Sequence, residues 1–248
     1  FVNNISADGG NDKVNYRFSY SNTHVDGYVP SNTLDRNTFN LRTQANITSK
    51  LQLDAKVNYI SQKGKNRPTL SDASDNPAYL FISQPRSMPL DILANYAWTA
   101  ADVAKQFGYS GVFPGLEKTY ATNSSTANPY WTINNTTNKD QRDRVLGMLR
   151  LSYDFAPWLK LTARGGTDFY TEQRLRFRAK GTYQSQNRNG DIEEQVIRVR
   201  EDNYDLLLNG MVDLNKDFSL GYNAGTSHQK KFYRLTGNTG KEFIVPNL

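Results

Sequence analysis

The chain has 248 residues, of which 37% are apolar and 12% aromatic, and its net charge is +6 from 30 basic and 24 acidic side chains. Its mean hydropathy of -0.71 would suit a disordered chain, but disordered chains are poor in aromatic residues, so bulk disorder is excluded. No apolar run approaches the roughly 18 residues of a membrane helix. The absence of cysteine excludes disulfides, thiolate metal sites and cysteine nucleophiles. The basic residues are spread along the chain without a recognition motif, so no nucleic-acid partner is expected.

The dominant pattern is an alternation of apolar and polar residues, which is typical of strands with one apolar and one wet face. Between Val14 and Tyr20, for example, every second residue is Val, Tyr or Phe, and the residues between them are Asn, Arg and Ser. Most of these runs are about 9 to 15 residues long, whereas globular strands usually have about 5 or 6 and tilted membrane strands need about 9 to 11. The pattern predicts eight strands, at residues 2–7, 14–21, 39–48, 51–59, 145–155, 159–169, 204–212 and 218–224.

The connections between these strands alternate in length. Short turns are predicted at 9–12, 48–50, 156–157 and 215–217, and long loops at 26–36, 63–141, 178–192 and after 225. This asymmetry is typical of outer-membrane barrels, which have short periplasmic turns and long extracellular loops. Aromatic residues beside the turns suit an interfacial girdle, although aromatics also favour strands in general: Tyr153, Phe155, Trp158 and Phe218. The predicted fold is all-β, a segment of an antiparallel up-and-down transmembrane β-barrel.

Two groups of arginines depart from the simple pattern. Arg198 and Arg200 share the parity of the apolar residues in the seventh strand and would face lipid if that strand were unbroken. We therefore expect a β-bulge at 201–203, or an apolar band that begins only at Tyr204. The other group has the opposite parity and should face the lumen or the lipopolysaccharide phosphates above the membrane, unless it is a solvated strand end: Arg174, Arg176 and Arg178.

The long loop at 63–141 is predicted to be a subdomain on the outer surface. Asn76 followed by Pro77 predicts a short capped helix that ends before Pro85, and a second helix is expected at 99–107. Aromatic residues lie in this loop among Asn, Thr and Ser, an arrangement that suits stacking on sugar rings but would equally form the loop's own core. The candidate substrate-binding residues are Tyr96, Trp98, Tyr109, Tyr120, Tyr130 and Trp131.

Residues for catalysis or metal binding are sparse. The only histidines, His24 and His228, fall in predicted loops, which leaves little basis for a catalytic base or a two-histidine metal site. The sequence at 237–241 lacks the spacing of a phosphate-binding loop, and the one at 187–191 lacks the final glutamate of a calcium loop. The interpretation is a protein that is not an enzyme, with no catalytic residue, metal ligand or cofactor.

Six sequence pieces, in order along nearly the whole chain, resemble SusC/RagA-type TonB-dependent outer-membrane transporters. They are DGGNDKVNY at 8–16, AKVNY at 55–59 leading to KGKNRP at 63–68, NPAYL at 76–80 with PRS at 85–87, NPYW at 128–131, GGTDFY at 165–170 and FIVPNL at 243–248. The resemblance implies a 22-stranded barrel in the bacterial outer membrane, with an N-terminal plug and a SusD-like surface lipoprotein as a lid. It also implies energy supplied through the TonB complex and a cargo of oligosaccharides or peptides.

The chain shows no plug, TonB box or closing C-terminal strands, so the resemblance assigns it about eight of the barrel strands. Strands 1–4 are expected in 1–62, the extracellular loop subdomain in 63–141, strands 5–8 in 142–227, and the start of a further extracellular loop in 228–248. The expected partners are the SusD-like lipoprotein, the TonB complex through the missing N-terminal part, outer-membrane lipid and lipopolysaccharide, and the glycan or peptide cargo. No binding residue is carried over from the family.

Other classes of protein remain open on the sequence alone. A soluble secreted β-sheet module that binds carbohydrate would bury the same apolar faces against a second sheet. A small self-closed barrel of eight strands would require the first and last strands to pair. An enzyme is the most distant alternative.

Overall fold

The computed structural model describes residues 1–73, 75–105, 114–119, 127–183 and 188–244. It contains one antiparallel sheet in which each strand pairs with its sequence neighbours, from β1 at one edge to β8 at the other. The predicted order of eight up-and-down strands is confirmed. The sheet is open, so the self-closed barrel is wrong. The strands are β1 Val2–Gly10, β2 Val14–Asp26, β3 Thr33–Asn46, β4 Leu51–Lys65, β5 Thr136–Ala156, β6 Leu159–Arg178, β7 Asp191–Asp213 and β8 Ser219–Lys241.

Several strands extend much further toward the long loops than the apolar alternation predicts. The β4–β5 pairing continues to Lys65 and Lys139, and the β7–β8 pairing continues to Asp191 and Lys241. The prediction that a loop begins at 228 is therefore wrong, because that segment is strand as far as Lys241. These extensions are held by the backbone ladder, which does not require an apolar face. For the same reason β5 begins before the boundary predicted at 142.

The expected bulge at 201–203 is absent from β7, which pairs without a register shift with both β6 and β8. The pairing of β5 with β6 does shift in register, at Asp154 and Ala156 beside a short turn. Arg198 and Arg200 therefore do lie on the face that carries the apolar residues. The remaining interpretation, an apolar band that begins at Tyr204, agrees with this register.

The short turns are stabilised by side chains that replace missing backbone partners. Asn11 Oδ1 accepts hydrogen bonds from the backbone N–H groups of Lys13 and Val14, both at 2.9 Å. Asn215 Oδ1 accepts in the same way from the second and third residues that follow it, both at 2.9 Å. Asparagine favours such turns because its short side chain can reach these amides. The sequence of the turns thus ends each strand and reverses the chain.

The described part of the large loop contains four short helices: α1 Pro77–Ile82, α2 Leu90–Ala94, α3 Ala100–Lys105 and α4 Pro129–Asn135. Helix α1 confirms the predicted helix, and Asn76 caps it by accepting from the Ala78 N–H at 3.1 Å. Helix α3 begins where predicted, after Thr99, whose hydroxyl accepts from the Asp102 N–H at 3.1 Å. The predicted end of that helix, at 106–107, lies outside the described residues. Helix α4 is additional to the two helices that the sequence predicted in this loop.

The apolar core lies mainly in the loops and not in the sheet. Leu80 and Leu93 are fully or almost fully buried there, whereas most large apolar side chains of the strands are exposed. None of the helices in the described ranges is long and apolar enough to cross a membrane. The sheet consequently has an apolar face that the described parts of the chain leave uncovered.

Candidate functional site

One face of the sheet is apolar and exposed over many strands. Phe18, Leu41 and Val57 are cross-strand partners on β2, β3 and β4, and between 42% and 49% of each remains exposed. Leu149 of β5 and Leu206 of β7 continue this face. A contiguous apolar surface of this extent marks contact with lipid or with another apolar surface. No second sheet covers it within the described residues.

A row of aromatic residues borders the apolar face on the side of the long loops. Tyr20, Phe39 and Tyr59 are cross-strand partners, and their ring centroids lie 4.7 Å and 6.2 Å apart. Closer to the long loops, the same face carries polar side chains that accept hydrogen bonds from these rings. The Tyr20 hydroxyl donates to Asn37 Oδ1 at 2.7 Å, and the Tyr59 hydroxyl donates to Asp143 Oδ1 at 2.9 Å. Rings with one apolar and one hydrogen-bonding end suit the boundary between a membrane and water.

A second aromatic group borders the apolar face on the side of the short turns. Tyr153 and Phe155 pack edge to face at 4.7 Å, and Tyr222 donates its hydroxyl to the Trp158 carbonyl at 2.5 Å. On β4 the two borders enclose residues 51–59, about nine residues, which agrees with the roughly 9 to 11 residues of a strand that crosses a bilayer. The sequence predicted the border at the turns and missed the one at the loops.

The opposite face carries a ladder of ion pairs that begins at Asp54. Its carboxylate is buried and accepts hydrogen bonds from Arg42 Nη2 and Arg150 Nη2, each at 3.0 Å. About half of each of these arginine side chains stays exposed, at 52% and 47%. One buried carboxylate thus holds two guanidinium groups across three strands while leaving them open to solvent.

The ladder continues toward the long loops. Glu172 is buried and pairs with both Arg142 and Arg174, and its contact with Arg174 Nε is 2.6 Å. Arg142 also lies over the ring of Tyr170, at 4.9 Å. Further pairs on this face join Arg144 to Asp168, Arg164 to Asp205 and Lys231 to Glu201. Such a face offers hydrogen-bond donors and acceptors to water or to a polar solute, as the wall of a wet passage does.

Three of the six predicted substrate-binding residues are half-buried in the loop subdomain. Tyr130 packs edge to face with Phe81 at 5.4 Å, and Trp98 lies beneath the ammonium of Lys118 at 5.0 Å. Tyr96 packs against Trp131 at 6.1 Å. Tyr96, Trp98 and Tyr130 thus take part in loop packing and keep part of their surface exposed.

The other three predicted residues are placed differently. Trp131 is only 3% exposed, and its Nε1 donates to Thr182 Oγ1 at 2.9 Å. The covered ring packs inside the loop, as the sequence alternative proposed, and offers no open face for stacking. Tyr109 and Tyr120 lie outside the described residues.

Glu117 is a buried acid at the junction of several loop segments, and no sequence motif predicts this role. It is 1% exposed and accepts hydrogen bonds from the backbone N–H of Asn128 at 2.5 Å and of Tyr183 at 2.7 Å. Burial raises its pKa from the ordinary value of 4.5 to about 7, despite these two hydrogen bonds, which act in the opposite direction. Glu117 therefore connects the large loop to the loop that follows β6.

The neighbouring Lys118 completes this junction. Its Nζ donates to Asn95 Oδ1 at 2.9 Å and to Asp102 Oδ2 at 2.8 Å, and the side chain is almost fully buried. The hydrogen bond from Lys118 holds the pKa of Asp102 well below its usual range. A composition-based prediction misses such a pair because adjacent acidic and basic residues in an irregular stretch usually remain solvated.

Both histidines lie in strands, so the prediction that they lie in loops is wrong. His24 is in β2, with its Nδ1 2.6 Å from Asp35 Oδ1, and His228 is in β8. Both segments extend beyond the apolar alternation from which the strands were predicted. Among the described residues no three His, Cys, Asp or Glu side chains are grouped in a way that could hold a metal ion.

Comparison with known proteins gives a match in structure only. No protein-family model and no curated protein matches the sequence. The RagAB peptide importer in its "closed-closed" state superimposes with a TM-score of 0.67 at 15% identity, and the RagAB peptide transporter with 0.67 at 14%. Each alignment covers 98% of this chain and 25% of the other. The "open-open" state gives a TM-score of 0.59 at 15% identity and covers 96% of this chain.

These superpositions define the class of fold. The chain spans about a quarter of the length of the importer chains that it matches, and nearly all of it is aligned. It has the fold of a segment of the barrels in those structures, with eight strands and their loops. The resemblance to a SusC/RagA-type barrel is confirmed at this level.

Proposed function

We propose that this chain is part of the barrel wall of a SusC/RagA-type, TonB-dependent transporter in the bacterial outer membrane. It would import a nutrient, an oligosaccharide or a peptide, without changing it chemically. The observation that carries the proposal is the opposition of the two sheet faces. Between two aromatic borders, one face is exposed and apolar, and the other carries buried carboxylates with half-exposed arginines. This arrangement suits lipid on one side and a wet lumen on the other.

The long loops are assigned to the cell exterior, where a SusD-like lipoprotein would close over them. Three apolar side chains in the large loop are strongly exposed, Leu70 at 87%, Ile82 at 81% and Leu90 at 62%, and offer a surface for such a lid. The junction at Glu117 and Lys118 supports this assignment because it keeps the loop in one shape. Deletion of 67–135 should abolish co-purification with the lipoprotein, and survival of the complex would contradict the assignment.

Cargo contacts are proposed for the rings that keep exposed surface, Tyr96, Trp98 and Tyr130. Coupling to TonB would act through a part of the transporter other than these eight strands and their loops. The RagAB structures are of a peptide importer, which supports import as the activity. An uptake experiment distinguishes a peptide cargo from a glycan cargo for this chain. Uptake of a labelled oligosaccharide and of a labelled peptide by cells should differ, and the transported one identifies the class.

The orientation can be tested cleanly because the chain contains no cysteine. Leu70→Cys places a thiol in the large loop, and Lys216→Cys places one in the turn between β7 and β8, both at exposed positions. A membrane-impermeant maleimide should label Leu70→Cys in intact cells and Lys216→Cys only after permeabilisation. The unsubstituted protein is the control for background. Equal labelling of both variants in intact cells, or protein recovered in the soluble fraction, would overturn the proposed function.

A further inference from the structure

Four cations are grouped on β7 and β8, on the face of the sheet that carries the apolar residues, here called the apolar-parity face. Arg198 lies directly opposite Arg234, and on the same face Arg200 lies opposite Phe232, while Lys230 lies opposite Asp202. Like charges placed opposite each other on neighbouring strands destabilise a sheet. The position of this group on the apolar-parity face therefore needs a compensating partner.

Carboxylates within the sheet do not balance the group. Asp202 is its single acid, and it is buried, accepting from Arg200 Nε at 3.0 Å and from the Thr167 hydroxyl at 2.8 Å. Arg198 and Arg234 are exposed and form no ion pair within the described ranges. The excess of positive charge therefore faces outward.

Other acids on the same face are too distant or otherwise engaged. Asp143 lies two strands from Arg198, with Thr171 between them in the register, and it accepts from Tyr59 and Gln141. Glu194 lies four residues before Arg198 on β7, near the outer end of the strand.

The group lies at the level of the aromatic border on the loop side. The cross-strand row that contains Phe39 and Tyr59 continues through Phe169 to Arg200 and Phe232. Phe169 and Phe232 are 41% and 49% exposed. Guanidinium groups therefore stand beside exposed rings where the apolar face ends, which is the position of lipid headgroups in the proposed orientation.

We propose that Arg198, Arg234, Arg200 and Lys230 bind the phosphates of a phosphorylated glycolipid headgroup, such as lipid A, in the outer leaflet. This inference rests on the proposed outer-membrane location and adds a lipid site to it. Arginine suits the site because its planar fork binds phosphate through two hydrogen bonds. A phosphate between Arg198 and Arg234 converts their repulsion into two attractive contacts. The neighbouring phenylalanines contact the apolar part of the same lipid.

The test uses the complete transporter extracted from outer membranes, with native mass spectrometry and two probes, bisphosphorylated lipid A and its dephosphorylated form. The unsubstituted protein should bind the bisphosphorylated form at least about tenfold more tightly. The double variant R198Q/R234Q should lose most of this preference, and R198K/R234K should retain part of it. The matched control is R17Q/K56Q, which removes two exposed cations from the polar face and should keep the preference.

Two results would overturn the lipid site: equal affinity of the unsubstituted protein for the two lipids, or an unchanged preference in R198Q/R234Q. Retained folding of this variant is verified by its recovery from the outer membrane. The cysteine-labelling experiment tests the proposed function separately. Correct labelling with no lipid preference would reject the lipid site alone, whereas incorrect labelling would reject the location on which it rests.

Discussion

Trp131 Nε1 donates a hydrogen bond to Thr182 Oγ1 at 2.9 Å, between residues 51 positions apart in the chain. The contact joins helix α4 of the large loop to the loop between β6 and β7. The Thr182 hydroxyl in turn donates to the Ala179 carbonyl at 2.7 Å. The large loop and the loop between β6 and β7 therefore pack together, and we call them the loop unit. Both loops should unfold together when this contact is removed.

Trp131→Phe should destabilise the loop unit by about 1–3 kcal/mol, because it removes a buried hydrogen bond and leaves a small cavity. The measurement is proteolysis at increasing urea, with cleavage sites mapped to the loops or to the strands. Cleavage should begin in both loops at lower urea while the strands stay resistant. Trp98→Phe, at a half-buried ring, is the control and should change the profile much less; equal profiles for the two variants would contradict the assigned role.

Asp54→Asn should destabilise the sheet by about 1–3 kcal/mol, less than the loss of a fully buried ion pair because both arginine partners are half exposed. The amide leaves Arg42 and Arg150 without their shared negative charge. Urea unfolding of the detergent-solubilised protein, followed by tryptophan fluorescence, measures the change. Asp205→Asn, at a more exposed acid with one arginine partner, is the comparison and should cost less. A larger loss for Asp205→Asn would contradict the central position of Asp54.

Leu149→Arg should hinder insertion, because an arginine on the lipid face near the centre of a bilayer costs about 2–4 kcal/mol in an outer-membrane barrel. Leu146→Arg is the control on the opposite face, between its cross-strand partners Asn58 and Asp168. Asn58 Oδ1 is buried and accepts no hydrogen bond within the described chain, so a nearby guanidinium should be tolerated there. The yield of folded protein in the outer membrane is the measurement. Equal yields would argue against lipid on the apolar face.

The loop unit should become less stable as the pH rises from about 5 to 8. Burial raises the pKa of Glu117 from 4.5 to about 7, so the folded loop binds a proton that the unfolded loop releases. The stabilisation by the neutral acid is fully present below 4.5 and is lost as the pH rises through 7, with a total on the order of 3 kcal/mol.

Hydrogen exchange of the Asn128 and Tyr183 amides, corrected for the intrinsic effect of pH, measures this change. Glu117→Gln should remove the pH dependence, because the amide does not titrate in this range. Asp102→Asn is the control, since its acid has a lowered pKa and stays charged from pH 5 to 8. A pH dependence that persists in Glu117→Gln would show that another group is responsible.

The alternation of side chains was enough to predict the order of the strands, the parity of their faces and the short turns. It could not predict the strand ends, since residues 136–144 of β5 and 226–231 of β8 are polar on both faces and are held by backbone pairing to their neighbours. It also suggested a bulge near Glu201 because two arginines share the apolar parity, although the ladder there is regular.

The buried polar contacts inside the loop unit could not be predicted from the sequence, for a different reason. Glu117, Lys118 and Asn128 are polar residues in irregular stretches, and their burial arises from contacts with segments far along the chain. The sequence predicted the loop aromatics only as a group of candidate binding residues. Their composition could not separate a covered ring such as Trp131 from a half-buried one such as Tyr130, because packing partners decide which faces stay open.

The strands of the sheet differ in length, which would affect how a solute reaches the proposed pore. β7 has 23 residues and β3 has 14, and both begin or end at short turns on the same side of the sheet. In the cross-strand row that joins Phe39 to Arg200, β3 continues six residues toward the long loops, to Thr33, and β7 continues nine, to Asp191. At about 3.3 Å per residue, β7 therefore extends about 10 Å further on the loop side. In the proposed orientation the wall would stand outside the membrane as a slanted collar, high at β7 and β8 and low at β2 and β3. A solute arriving from outside would meet the least obstruction over the low side.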